Sequence, residues 1–138
     1  MALAIVLIVT SIIIFSFSNL NSRKSLETSV LLASSILEEA RSLTISSVDS
    51  SQYGVYLEDS QVTLFKGSTY SALSSDNVIT SLNPKIGIRN INLSGGGSSV
   101  VFQRLTGGTQ NFGTFELFVI ADPDVSTMIN ITATGVVQ

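Results

Sequence analysis

MALAIVLIVTSIIIFSFSNLNSRKSLETSVLLASSILEEARSLTI, residues 1–45, decides the fold. Residues 1–22 carry no charged side chain, and neither Gly nor Pro occurs before Gly54. With the strongest helix breakers missing, one uninterrupted helix is predicted. At 1.5 Å per residue Ala2 to Leu20 extends about 28 Å, close to the thickness of a bilayer's hydrocarbon core. Its polar residues, Thr10, Ser11, Ser16, Ser18 and Asn19, are small and not ionisable, and hydroxyls of this kind bond back to the helix backbone. A cleaved export signal would have a basic start and a small-x-small cleavage site; no Lys or Arg precedes this run and no such site follows it. Left in water, Leu3, Ile5, Val6, Leu7, Ile8, Val9, Ile12, Ile13, Ile14, Phe15 and Phe17 would form an apolar surface larger than monomers tolerate. They are therefore expected to lie in lipid or against other subunits.

From Leu26 the pattern turns amphipathic. Leu26, Val30, Ala33, Leu37 and Ala40 step by four and three, with Leu31, Ile36 and Leu43 widening the stripe. Arg23, Glu27, Glu38, Glu39 and Arg41 mostly fall off it. The run ISSVDSS, residues 45–51, is rich in β-branched and cap-prone residues and is predicted to end the helix. A helix of about 45 residues would measure roughly 65 to 70 Å, longer than a small domain is wide, so its first half should protrude.

Alternation then replaces the helical period. YGVYLE (53–58) and QVTLFK (61–66) are expected to form a hairpin around Asp59 and Ser60. GSTYSALSSDN reads as a polar loop across one edge, and NVITSL (77–82) as a strand cut off by Asn83-Pro84. IGIRNINL (86–93) alternates with one slip near Arg89 and precedes the GGG turn at 95–97. SVVFQRL (99–105), TFELFVI (114–120) and MINITA (128–133) follow, separated by TGGTQNFG and ADPDVST, with GVVQ as a short last strand. The expected fold is α+β: a long hydrophobic-then-amphipathic helix packed on an antiparallel β-sheet arranged as a meander. Its parts are 1–22, a hydrophobic helix; 23–48, its amphipathic continuation; and 49–138, a globular antiparallel β-domain. Leu26, Val30, Ala33, Leu37 and Ala40 are assigned to helix–sheet packing. Tyr53, Tyr56, Phe65, Phe102, Phe115 and Phe118 are expected mainly in the core.

Composition narrows the chemistry. The chain has 138 residues, only 12% of them charged, and a net charge of −3, which offers no broad attraction to a polyanion. It has no Cys, which removes disulfides and thiolate chemistry, and no His, which removes the usual general base and commonest metal ligand. No catalytic residues and no cofactor are expected. A carboxylate-dependent hydrolase would need two acids brought together in a cleft, and Glu58-Asp59 is assigned to the hairpin turn instead. GGG at 95–97 is no phosphate loop, because no Lys-Ser/Thr follows it. Asn92-Leu93-Ser94 and Asn130-Ile131-Thr132 match the glycosylation pattern as chance would supply it. Asp122, Asp124 and Ser126 stand two apart, but the Gly and Glu positions of a calcium-binding EF-hand fall on Thr127 and Ala133. No metal site is assigned; a solvated turn is the expectation, with Asp122 and Asp124 the nearest the chain comes to one.

A hydrophobic helix running without a break into an amphipathic one, followed by a small antiparallel sheet, resembles the type IV pilin superfamily. SSILEEARSLTISS, YGVYLEDSQVTLFKG and SSVVFQRLTGGTQNFGTFELFV leading to MINITATGVVQ are similar to its GspH/FimT-like minor pilins and pseudopilins. The resemblance implies a non-enzymatic subunit stored in the bacterial inner membrane and assembled, with the help of assembly machinery, into an extracellular or periplasmic filament. Its partners would be copies of itself or related pilins, packed through residues 1–22. That family's leader and fifth-position Glu are absent; MALAIVLIVT reads like the segment after that Glu, and the leader is expected upstream of Met1. An irregular calcium site, known in some pseudopilins, would fall on Asp122 and Asp124. DNA binding, known in some FimT-like pilins, would fall on Lys85, Arg89 and Arg104, three cations with no aromatic platform beside them; no nucleic acid is expected. The competing reading is a single-span, membrane-anchored β-rich binding module that never polymerises.

Overall fold

The protein is described from a computed structural model covering the backbone of residues 2–138 and the side chains of residues 21–138. One helix, α1 (Ala2–Ile45), precedes a 3-10 turn at Val48–Ser50 and seven strands: β1 (Tyr53–Leu57), β2 (Gln61–Lys66), β3 (Val78–Ser81), β4 (Ile86–Leu93), β5 (Ser99–Val101), β6 (Gly113–Val119) and β7 (Asp122–Ile131). The α+β class and the packing of the described part of α1 on antiparallel strands are as the sequence predicts. The single meander is not. The strands form two sheets, ordered β3-β2-β1-β5 and β4-β6-β7, and they meet where the Asp59 carbonyl in the first hairpin accepts the Ile88 amide at 2.9 Å.

Helix α1 packs against both sheets. Leu26, Ala33, Ile36, Leu37 and Ala40 are buried, the last two and Ala33 completely, and Val30 is half-buried against them. Below them lie cross-strand pairs from each sheet: Val55 with Leu64 and Leu57 with Val62, then Ile88 with Leu117 and Phe115 with Ile129. One expected member of the stripe fails. Leu31 is 71% exposed, because it sits one residue past Val30 and a 100° step per residue carries it off the packed face.

The helix ends as its sequence demands. Ser47, Asp49 and Ser50 all have positive φ, a conformation that short polar side chains tolerate better than bulky ones. Buried Thr44 joins the helix end to β1: its hydroxyl donates to the Ala40 carbonyl at 2.7 Å and accepts the Tyr53 amide at 3.0 Å. Gly107 and Gly135, both at positive φ, let two loops close beneath the same end; a Cβ on Gly107 would come within 2.6 Å of Ile45. Arg41 Nε donates to the Gly107 carbonyl at 3.1 Å and fastens that closure.

Strand β4 keeps its buried side chains on one face by a bulge. Ile88 and Leu93 are five residues apart, an odd spacing that would send them to opposite faces of a regular strand. The register shifts between Arg89 and Asn92, with Asn90 at φ 53°, and both side chains are buried. This is the slip visible in the alternation.

Residues 67–77, expected as a polar loop across one edge, join β2 to β3 and carry Tyr70 over the outer face of the four-stranded sheet. Tyr70 stacks on Tyr56 with ring centroids 3.9 Å apart and meets Phe65 edge-on at 5.5 Å. Phe65 in turn covers the space where Gly54 has no side chain. Four consecutive residues of β2, Val62 to Phe65, are consequently buried.

Three boundaries also move. SVVFQRL is strand only to Val101, after which Phe102 bridges Thr109 and Leu105 turns at φ 79°. ADPDVST, read as a turn, is strand from Asp122 onward. GVVQ reduces to one bridge, Val137 to Ile131. Pro123 is tolerated in β7 because this strand has a sheet neighbour, β6, on one side only.

Two threonines give opposite expectations. Thr44→Val strands the buried Tyr53 amide and should destabilise the protein by about 1–3 kcal/mol. Thr63 is also fully buried, but its hydroxyl has no hydrogen-bond partner among the described residues. Thr63→Val should therefore be neutral or stabilising by up to about 1 kcal/mol. Denaturant titration of the full chain in micelles measures both.

Candidate functional site

Two faces of α1 between Asn21 and Ile45 have different jobs. The inner face is spent on the core. Opposite it Lys24, Thr28, Leu31, Ser35, Glu38, Ser42 and Ile45, again spaced by four and three, are all exposed. Leu31 and Ile45 are its large apolar members. Thr28 Oγ1 donates to the Lys24 carbonyl at 2.9 Å and Ser35 Oγ to the Leu32 carbonyl at 2.8 Å. These two hydroxyls, satisfied within their own helix, would not be stranded by a closely packed neighbour. The outer face thus mixes two charges, Lys24 and Glu38, with small hydroxyl residues and two exposed aliphatics, a surface that seeking only the sheet-facing stripe did not bring out.

The positions assigned to the hydrophobic segment, Leu3, Ile5, Val6, Leu7, Ile8, Val9, Ile12, Ile13, Ile14, Phe15 and Phe17, lie outside the described side chains. Among the residues with described side chains, no helix is long and apolar enough to cross a membrane.

The three cations considered for DNA do not converge. Arg89 is held by its own sheet: its Nε contacts Glu116 Oε2 at 3.1 Å, Nη2 donates to the Pro123 carbonyl at 2.7 Å, and the guanidinium lies 4.3 Å from the centre of the Phe118 ring. Lys85 lines a cavity of about 330 Å³ with Ser22, whereas Arg104 is on the loop that Gly107 docks under Arg41. Ser22 and Arg41 are 19 residues apart on α1, about 28 Å along its axis.

Asp122 and Asp124 are exposed at the start of β7. No group of three or more His, Cys, Asp or Glu that could hold a metal exists among the described residues. Glu58 and Asp59 occupy the hairpin connection as expected, with Glu58 hydrogen-bonded to Gln61.

The titration of Glu116 is strongly displaced. Hydrogen bonds from Arg89, Ser126 and Asn90 hold its carboxylate down to about 2 from an ordinary 4.5. The geometry explains this as support for the β4 bulge, since Asn90, the positive-φ residue there, donates to Glu116 Oε2 at 2.7 Å. A carboxylate whose folded pKa is depressed contributes stability that is complete above its unfolded value and lost as pH falls through the folded one. That contribution should therefore decline between about pH 4.5 and pH 2. Carboxyl-carbon NMR of the full chain should find Glu116 ionised through that window, and Arg89→Met should return its midpoint toward 4.5.

Comparison with protein-family models, characterised proteins and solved structures finds no match to this chain.

Proposed function

We propose that the chain is a non-enzymatic structural subunit of a filament of the type IV pilus or type II secretion kind, held in the inner membrane before assembly and polymerising through its N-terminal helix. The observation that carries this reading is the division of labour along one helix. Its buried positions run from Leu26 to Thr44, while residues 1–22, also charge-free, bring eleven large apolar side chains between Leu3 and Phe17. Those side chains favour any surroundings that exclude water, and lipid and sister helices both do so. On the outer face of α1 the Thr28 and Ser35 hydroxyls support the same reading, because donors satisfied within their own helix are not stranded by close helix contact. Head-to-tail packing that does not close on itself yields fibres.

Shearing the cells that make the protein, then assaying fibres and membranes by peptide identification, tests the proposal. The subunit should be recovered in both fractions. Ile13→Lys places a charge in the apolar run at a cost of about 2.5–3.5 kcal/mol on insertion scales and should abolish fibre recovery. Complete retention in membranes, with no fibre containing the chain, would favour the non-polymerising anchored module. A dispersed monomer in detergent-free buffer would overturn both.

A further inference from the structure

The outer face of the four-stranded sheet carries a second feature, independent of the helix. A groove runs beside β5, between the loop over Tyr56 and the Gly95–Gly97 turn. It has two lobes, of about 270 and 220 Å³, which share Ser68, Val101 and Asn111. Tyr70, Ser99 and the two glycines Gly96 and Gly97 complete the first lobe; Gln52, Gln103 and Gln110 complete the second.

Three properties of this lining select a ligand. It contains no charged residue. A phosphate or carboxylate would find no cation to pair with, and the protein's net charge of −3 adds nothing to attract one. Nor does it suit a greasy molecule, since Val101 is the only aliphatic side chain lining it. What it offers in quantity is neutral donors and acceptors. Each primary amide presents two donor hydrogens and an acceptor oxygen from one side chain. Gln103 and Gln110 make no side-chain hydrogen bond among the described residues, and neither do the hydroxyls of Ser68, Tyr70 and Ser99.

The groove is also braced. Asn111 Oδ1 accepts the Val101 amide at 3.1 Å, Gln52 Nε2 donates to the Phe102 carbonyl at 3.3 Å, and Tyr70 is fixed by its stack on Tyr56. A Cβ on Gly96 or Gly97 would meet nothing within 4 Å, so that wall is bare backbone facing open space. Fixed aromatic, fixed amides and free hydroxyls around two joined lobes match a molecule that is uncharged, rigid and covered in hydroxyls. We infer that this groove binds a carbohydrate, with one sugar ring in each lobe.

Saturation-transfer NMR on the full chain tests this, using phosphocholine micelles so that no sugar-headed detergent competes. The probes are cellobiose, maltose, lactose and chitobiose at millimolar concentration, alongside acetyl-triglycine amide as a neutral peptide. Transfer to the ring protons of at least one disaccharide is expected. Tyr70→Ala and Gly97→Asp should each reduce it about fivefold or more, the loss that follows removal of one stacking or hydrogen-bonding partner. A Cβ at position 97 meets nothing within 4 Å, and Asp adopts positive φ more readily than most residues, so the strain of this variant is confined to the turn while its side chain charges the lobe. An unchanged amide spectrum outside residues 94–99 checks that the fold is kept. Ser42→Ala, on the helix, should change nothing. No transfer to any sugar, transfer to the peptide alone, or transfer unchanged in both groove variants would overturn the inference. None of these outcomes depends on whether the chain polymerises.

Discussion

Burial of the Ala33-Leu37-Ala40 ridge is the contact on which the described architecture rests. All three are completely inaccessible to solvent, and the alternation of small, large and small lets one helix approach two sheets at once. Residues of both sheets pack against that helix. The helix is therefore the shared cover for Val55, Leu64, Leu117 and Ile129, which come from four different strands. Side chains of this size contribute about 1.5–3 kcal/mol each when fully buried, so no surface hydrogen bond competes with that contact.

A ridge shared by two sheets needs its end fixed, and the end of α1 is where polar chemistry is concentrated. Thr44, Arg41, Gly107 and Gly135 act on the same few residues of chain: one hydroxyl satisfies the first strand, one guanidinium satisfies a loop carbonyl, and two glycines remove the side chains that would hold the loops away. Unpaired amides in such a place would cost as much as the apolar contacts beside them gain. The bulge of β4 solves a different problem by the same means. It keeps Ile88 and Leu93 in the core, and Glu116 accepts hydrogen bonds from the side chains of Arg89 and Asn90 at the irregular stretch.

What the sequence made legible follows from which signals are local. The amphipathic stripe, the end of the helix at Ile45, the first hairpin and the slip in β4 all depend on neighbours within a few residues. Periodicity and turn chemistry report those directly. The division into two sheets depends on which strand pairs with which, and alternation is the same whichever sheet a strand joins. Pro123 and two aspartates disguised the start of β7, since the tolerance of an edge strand for proline appears only once the edge is known. Thr44 continues the Ala33-Leu37-Ala40 spacing and was detectable by it; its polarity concealed a buried role. The groove beside β5 draws on residues from Gln52 to Asn111, and no linear spacing brings those together.

The two surfaces proposed above ask for opposite physics, and the sheet separates the groove from the packed face of α1. Residues 1–22, charge-free and largely apolar, suit partners that exclude water, which requires the absence of charge and of unsatisfied donors. The groove beside β5 favours a partner that resembles water, which requires the absence of charge but an abundance of donors. A single surface cannot meet both demands, because the amides that hold a hydroxyl-rich ligand would each be stranded against a neighbouring helix. The groove lies on the sheet face turned away from α1, so a helix that exchanged partners, as proposed, would leave the groove in solvent. In a chain with few charges, 12% in all, neither proposed surface would rely on ion pairs for recognition.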